Sequence, residues 1–144
     1  MTKRDWALLV MAAPRQRPLE PVQLQKILFI LSQLRPDQLK VDAFYDFIPY
    51  DYGPFCRDIY SDAEALEGEG LVTIDRSVPR PSRTFSVTPA GAERAASLRL
   101  QLDKTVLEYL DKLTGWVTAL SFNQLVSWIY KNFPEMKENS VFKE

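Results

Sequence analysis

One stretch, Ala43 to Leu71 (AFYDFIPYDYGPFCRDIYSDAEALEGEGL), constrains this chain more than any other. It opens on alternating aromatics, passes through Asp51-Tyr52-Gly53-Pro54, continues at helical spacing and stops at Gly68 and Gly70. Glycine can take a positive φ and proline suits the first helical position, so the spacing predicts a turn and then a helix opening at Pro54. Phe55, Ile59, Ala63 and Leu66 give that helix, which runs to about Glu67, one apolar stripe. Arg57, Asp58, Ser61, Asp62, Glu64 and Ala65 are left toward solvent. Beyond the glycines, Leu71 to Ile74 alternates as a strand and Thr84 to Val87 as a return strand. Between them Pro79 and Pro81 stiffen the loop from Ser77 to Arg83, so that it projects as a wing. Thr88 is a natural N-cap with Pro89 at the first helical position. The apolar spacing then continues past Leu98, Leu102, Val106 and Leu110 to about Leu113, with Gly115 as the stop. A helix of roughly 25 residues is long for a globular domain, which leaves two options: packing against a symmetry mate, or a break near Lys104.

Turn, helix, strand, projecting loop, strand and capped helix, in that order, make the layout of a winged helix-turn-helix. The expected fold class is α+β, mainly α, with a C-terminal helical extension. Residues 1–88 supply the core, and 89–144 supply helices that complete the same domain and offer a dimerisation surface. Upstream, Trp6, Leu9, Val10 and Ala13 mark a first helix from about Lys3 to Ala13, ended by Pro14 and Pro18. A second helix starts at Pro21 and carries Leu24, Ile27, Leu28 and Leu31 inward. Phe29 and Ile30 make its middle apolar nearly all round, which implies burial on two sides. Val41 to Tyr50 reads as a short strand or extended segment that Pro49 places at an edge or ends. Near the C-terminus, Ser121 and Gln124 have the spacing of a capping box, Leu125, Trp128 and Ile129 form an apolar face, and Phe133-Pro134 closes the helix. The polar tail from Glu135 to Glu144 is expected to be loosely held.

Composition then excludes much. With 144 residues and 46% apolar content, one proper core is affordable and two are not. Histidine is absent, so Ser-His-Asp and Cys-His catalysis, HExxH metalloenzymes and Cys/His zinc sites are all excluded. The five glycines occur in no phosphate-loop spacing. The expectation is a non-enzyme without cofactor or metal. A single cysteine, Cys56, suits a reducing compartment, and no apolar run approaches a membrane span, so a soluble, unexported, cytoplasmic protein is expected. The net charge of −1 confines any nucleic-acid surface to a local patch.

Two candidate surfaces follow. Arg57 and Ser61 on the third helix, Arg76, Arg80 and Arg83 on the wing, and Arg15 and Arg17 after the first helix can bracket a duplex. Against this, Pro54 to Glu69 holds one base, Arg57, and five acids: Asp58, Asp62, Glu64, Glu67 and Glu69. That charge repels phosphate. The second candidate is a protein-binding surface made by Tyr50, Tyr52 and Phe55 with Asp58 and Asp62.

Pro21-Val22-Gln23-Leu24-Gln25-Lys26 before an apolar helix, Tyr52-Gly53-Pro54-Phe55, and Glu69-Gly70-Leu71-Val72 together resemble the prokaryotic winged-helix group of YwgA-like proteins and SocA (Panacea) antitoxin domains. Ser86-Val87-Thr88-Pro89-Ala90-Gly91 is similar to the wing-to-helix junction of MarR- and PadR-like regulators, and Tyr130 to Glu135 to the closing helix of the YwgA-like group. The resemblance covers most of Leu8 to Ser140 and implies regulators, antitoxins or adaptors, with no catalytic residue. The resulting expectation is a homodimeric DNA-binding regulator of a prokaryotic operon acting on double-stranded DNA. Its alternative is an antitoxin-like or adaptor module holding a protein partner such as a toxin or defence protein. No membrane association is expected.

Overall fold

The computed structural model describes residues 1–15, 17–77 and 83–143, and it is α+β and mainly helical with two small antiparallel hairpins. Helix α1 (Lys3–Ala12) opens with a capping box: Thr2 Oγ1 accepts from the Asp5 amide while the Asp5 carboxylate accepts from the Thr2 amide. Trp6 through Met11 are all buried, and the Trp6 indole N–H donates to the Leu39 carbonyl at 2.8 Å. Helix α2 (Pro21–Leu31) runs through the centre, with every residue from Leu24 to Leu31 buried. A short helix α3 (Pro36–Leu39), which the apolar periodicity does not reveal, follows and is closed by Lys40 in the left-handed region, φ 55°.

The Gly-Pro turn takes a different form from the expected one. Strand β1 (Ile48–Tyr50) pairs antiparallel with β2 (Gly53–Phe55), and Gly53 takes φ 97°. Pro54 therefore sits in a strand and does not open the helix; helix α4 (Arg57–Gly68) begins three residues later, after Cys56. The cause lies on α2. The Gln25 side-chain amide pairs with both backbone groups of Cys56, each at 2.9 Å, and holds the segment extended. Pro49 faces Pro54, where an antiparallel ladder exchanges no hydrogen bonds and two missing donors cost nothing. Asp62, expected in solvent, is buried on the α1 side of α4. There its carboxylate accepts from Tyr45 Oη at 2.6 Å and from Arg4 Nε at 3.3 Å.

Strands β3 (Val72–Asp75) and β4 (Thr84–Val87) pair as the expected hairpin. On the other edge of β4, Leu19 and Phe85 exchange both backbone bonds, at 2.9 and 2.8 Å. The order α1, Leu19, α2, α4, β3, β4 is consistent with a winged-helix-like layout, with residues 32–56 as an enlarged connection carrying α3 and the first hairpin. The tip of the expected wing, including Arg80, lies outside the described residues.

Thr88 caps helix α5 (Pro89–Arg99) as its sequence implies. Of the two options for the long helix, the break is what occurs: α5 ends at Arg99 and α6 (Lys104–Ala119) starts anew. The amides of Leu100, Gln101 and Leu102 each bond three residues back, tightening the chain out of α geometry. Arg99 then grips Asp111 through two bonds of 3.0 and 2.7 Å, tying α6 to the end of α5. Gly115 does not stop α6, which continues to Ala119; with no competing turn bond, an isolated glycine costs a helix only about 1 kcal/mol. Helix α7 (Phe122–Asn132) has the expected Ser121–Gln124 box. The tail is not loose. The Val141 amide donates to Asp51 O at 2.9 Å, Asn139 Nδ2 donates to Pro49 O at 3.1 Å, and Phe142 packs against Phe122 and Tyr130. One hydrophobic cluster runs from Trp6 to Tyr130. Among the described residues, no helix is long and apolar enough to cross a membrane.

Candidate binding groove and the α4 face

A groove of about 500 Å³ opens where the start of α2, the first hairpin, α4, β4 and the head of α7 meet. Its walls are largely apolar and aromatic: Tyr50, Tyr52 and Phe55 from the hairpin, Tyr60 from α4 and Phe122 from α7. Tyr50 stacks on Phe55 with centroids 4.9 Å apart, and Tyr52 meets Phe122 edge-on at 5.2 Å. Tyr50, Tyr52 and Phe122 are nevertheless exposed, so they form a rim. Deeper, Tyr60 contacts Phe55 and lies parallel to Phe85, while the Arg83 guanidinium sits 4.9 Å from its ring. Burial raises the Tyr60 phenol above its ordinary pKa.

Lys26 also lines the groove, and it is only 4% exposed. Its Nζ donates to the Pro54 carbonyl at 3.1 Å, and its stem lies against Gly53. Among the described residues no carboxylate lies within ion-pairing distance of it. Burial therefore pushes the ammonium down to about 7. A cation buried without a counter-ion is costly, whereas a hydrogen-bonded neutral amine is tolerated.

Among the described residues, those proposed for a duplex are not assembled into one basic surface. Arg57 and Ser61 are exposed on α4. Arg76 donates through both terminal nitrogens to Glu67, at 2.8 and 3.0 Å. Arg83 lies over Tyr60. Arg15 is half-buried and gives its terminal nitrogens to the carbonyls of Met11, Ala13 and Phe85, so it staples α1 to β4. Arg17 is exposed and lines an adjoining cleft of about 820 Å³ with Gln23 and Ser121, which shares Glu20, Val22 and Phe122 with the groove. The acids of α4 also have partners: Asp58 with Lys3 at 3.5 Å, Asp62 with Arg4, Glu67 with Arg76, and Glu69 with Arg4 at 3.6 Å. The basic side chains of α1 and the wing base thus offset much of the acidic charge of this segment, while Glu64 stays exposed.

Of the proposed protein-binding set, Tyr50, Tyr52 and Phe55 do converge on the groove; Asp58 lies on the exposed face of α4, and Asp62 is inside. Gln25, Lys26, Tyr60 and Phe122 complete the site and were not singled out from sequence. The signal for two of them was present, because a helix apolar nearly all round must bury whatever polar residues lie within it. No family model matches the chain, and no curated protein is significantly similar to it. The resemblance to YwgA-like and SocA-type proteins accordingly stands on the quoted residues alone.

Proposed function

We propose that the chain is a non-enzymatic protein-interaction module of adaptor or antitoxin type, built on a winged-helix-like frame, whose partner docks on the aromatic rim. One observation carries this reading: Tyr50, Tyr52 and Phe122 stand exposed side by side over an apolar groove. Clustered exposed aromatics of this kind mark interaction sites, because tyrosine and phenylalanine bury large areas at little entropic cost. The engagement of Lys3, Arg4 and Arg76 by the acids of α4 supports it further, since bases already paired gain little from phosphate.

A DNA-binding regulator is the second reading. It is favoured by Leu19 bridging β4 beside α4 and by Arg57 and Ser61 facing outward on the first turns of α4. Co-purification of the tagged chain with products of its own operon, alongside duplex binding to the operon's upstream region, separates the two. The expected result is a stoichiometric protein partner that Tyr50→Ser with Tyr52→Ser weakens at least tenfold, the loss typical of aromatic anchors. The variant should melt like wild type. Sequence-selective duplex binding that survives the rim substitutions, with no partner retained, would reject the adaptor reading.

A further inference from the structure

The rim leaves one feature of the groove unexplained. An apolar, half-open cavity needs no lysine in its wall, and among the described residues Lys26 uses one N–H, on Pro54 O. Its surroundings are aromatic: Tyr60 on α4, Tyr50 and Tyr52 on the first hairpin, and Tyr130 on α7 behind Gly53. The acids that line the cavity, Glu20 at the start of α2 and Asp51 in the hairpin turn, do not reach the amine within ion-pairing distance. Cys56, held by Gln25, lies on the α4 side as a buried thiol. Ligand cavities combine apolar walls with a few convergent polar groups, and about 500 Å³ lies within their usual range of roughly 300–1,000 Å³.

We propose that this groove is a binding site for a small apolar monocarboxylic acid, its carboxylate seated on Lys26 Nζ and its hydrocarbon or aromatic body held between Tyr60, Phe55 and Phe122. Charge complementarity selects the head group: an anion supplies the counter-ion that the protein withholds, in a setting that strengthens a charge-assisted bond. The walls select the body, since they offer rings to pack against and little to pair with a second charge. Glu20 and Asp51 disfavour dicarboxylates. The site lies beneath the aromatic rim and shares Phe122 with it, so a bound acid and a docked protein segment meet at that ring.

Binding is linked to the proton on Lys26. Burial holds the empty-site ammonium at about 7, and a bound carboxylate favours the charged form and raises it. The acid itself stays ionised at neutral pH, so its dissociation constant should be flat below about pH 7 and rise up to about tenfold per pH unit above it.

The probe is 3-phenylpropanoate, compared with 3-phenylpropanamide, which keeps the body and loses the charge. Both are titrated into the 15N-labelled full chain at several pH values between 6 and 9. Expected are shifts centred on the amides of Gly53, Phe55 and Tyr60, amide-analogue binding at least tenfold weaker than that of the acid, and the stated pH dependence. Lys26→Met, which keeps an apolar stem, should abolish acid binding. If that variant fails to fold, the wild-type acid-to-amide ratio and pH profile decide alone. Equal affinity for acid and amide, a constant affinity from pH 6 to 9, or shifts centred on the Arg15–Arg17 cleft would overturn the proposal. So would a capped Phe-Glu-Phe peptide that outcompetes the acid, which would assign the groove to a protein segment.

Discussion

Lys26 shows how one residue ties stability to the site. An unfolded lysine titrates near 10.4, while this one, desolvated in the folded chain, titrates near 7. Below pH 7 both states are protonated and the folded state bears the full cost of burying the charge. Between about pH 7 and 10 the unfolded chain binds more protons than the folded one, so this group makes stability rise with pH, by up to about 1.4 kcal/mol per unit. Cys56 acts in the opposite sense once an unfolded thiol ionises near 8.5, because burial raises its folded value. The clean window is therefore pH 7 to 8. The urea midpoint should climb across it for wild type, whereas Lys26→Met should start higher at pH 7 and stay level. A wild-type midpoint that falls or does not move across that window would contradict the desolvated lysine.

At the scale of elements, the Thr88-Pro89-Ala90-Gly91 junction is the most legible part of the chain. Thr88 Oγ1 accepts from the Gly91 amide at 3.0 Å and donates to Gly70 O at 2.7 Å, while the Thr88 amide donates to Leu71 O. One residue both caps α5 and sews it to the turn that leaves α4. Gly91 is required by proximity, since a Cβ there would lie 1.9 Å from Leu71 O. On an open helix face Gly→Ala stabilises by about 1 kcal/mol. Here the backbone must shift instead, and Gly91→Ala should cost roughly 1–3 kcal/mol, read as a lower denaturation midpoint. A midpoint at or above wild type would mean that α5 stands off from the Leu71 backbone. What the sequence hides at this scale is long-range. Pro54 has the chemistry of a helix start, yet Gln25 captures Cys56 from 31 residues upstream of it and turns the segment into a strand. The tail reads as solvated because its anchors, Asp51 and Pro49, lie about 90 residues upstream and accept through backbone carbonyls that carry no sequence signature. The break after Arg99 depends likewise on a tertiary pair, Arg99 with Asp111.

For the molecule as a whole, the question is what the α4 face meets, and burial changes which residues can answer it. Asp62 is committed to Tyr45 and Arg4, so substituting it tests folding. Asp58 and Glu64 are exposed, and the Asp58–Lys3 pair at 3.5 Å is a surface contact worth at most about 1 kcal/mol. Asp58→Asn with Glu64→Gln therefore changes the charge of the face while the fold is kept. If α4 enters a major groove, removing two repulsive charges and releasing Lys3 should tighten duplex binding by a few tenths to about 1 kcal/mol for each charge, most clearly at low salt. If a basic protein instead docks on α4, association should slow, because complementary charge chiefly sets the on-rate. If the partner sits on the aromatic rim, as proposed, neither should happen: partner affinity should stay within about twofold of wild type, and duplex binding should not appear. Gain of a salt-sensitive duplex complex in this variant would return the chain to the DNA-binding reading, and slower partner association would move the interface from the rim to α4.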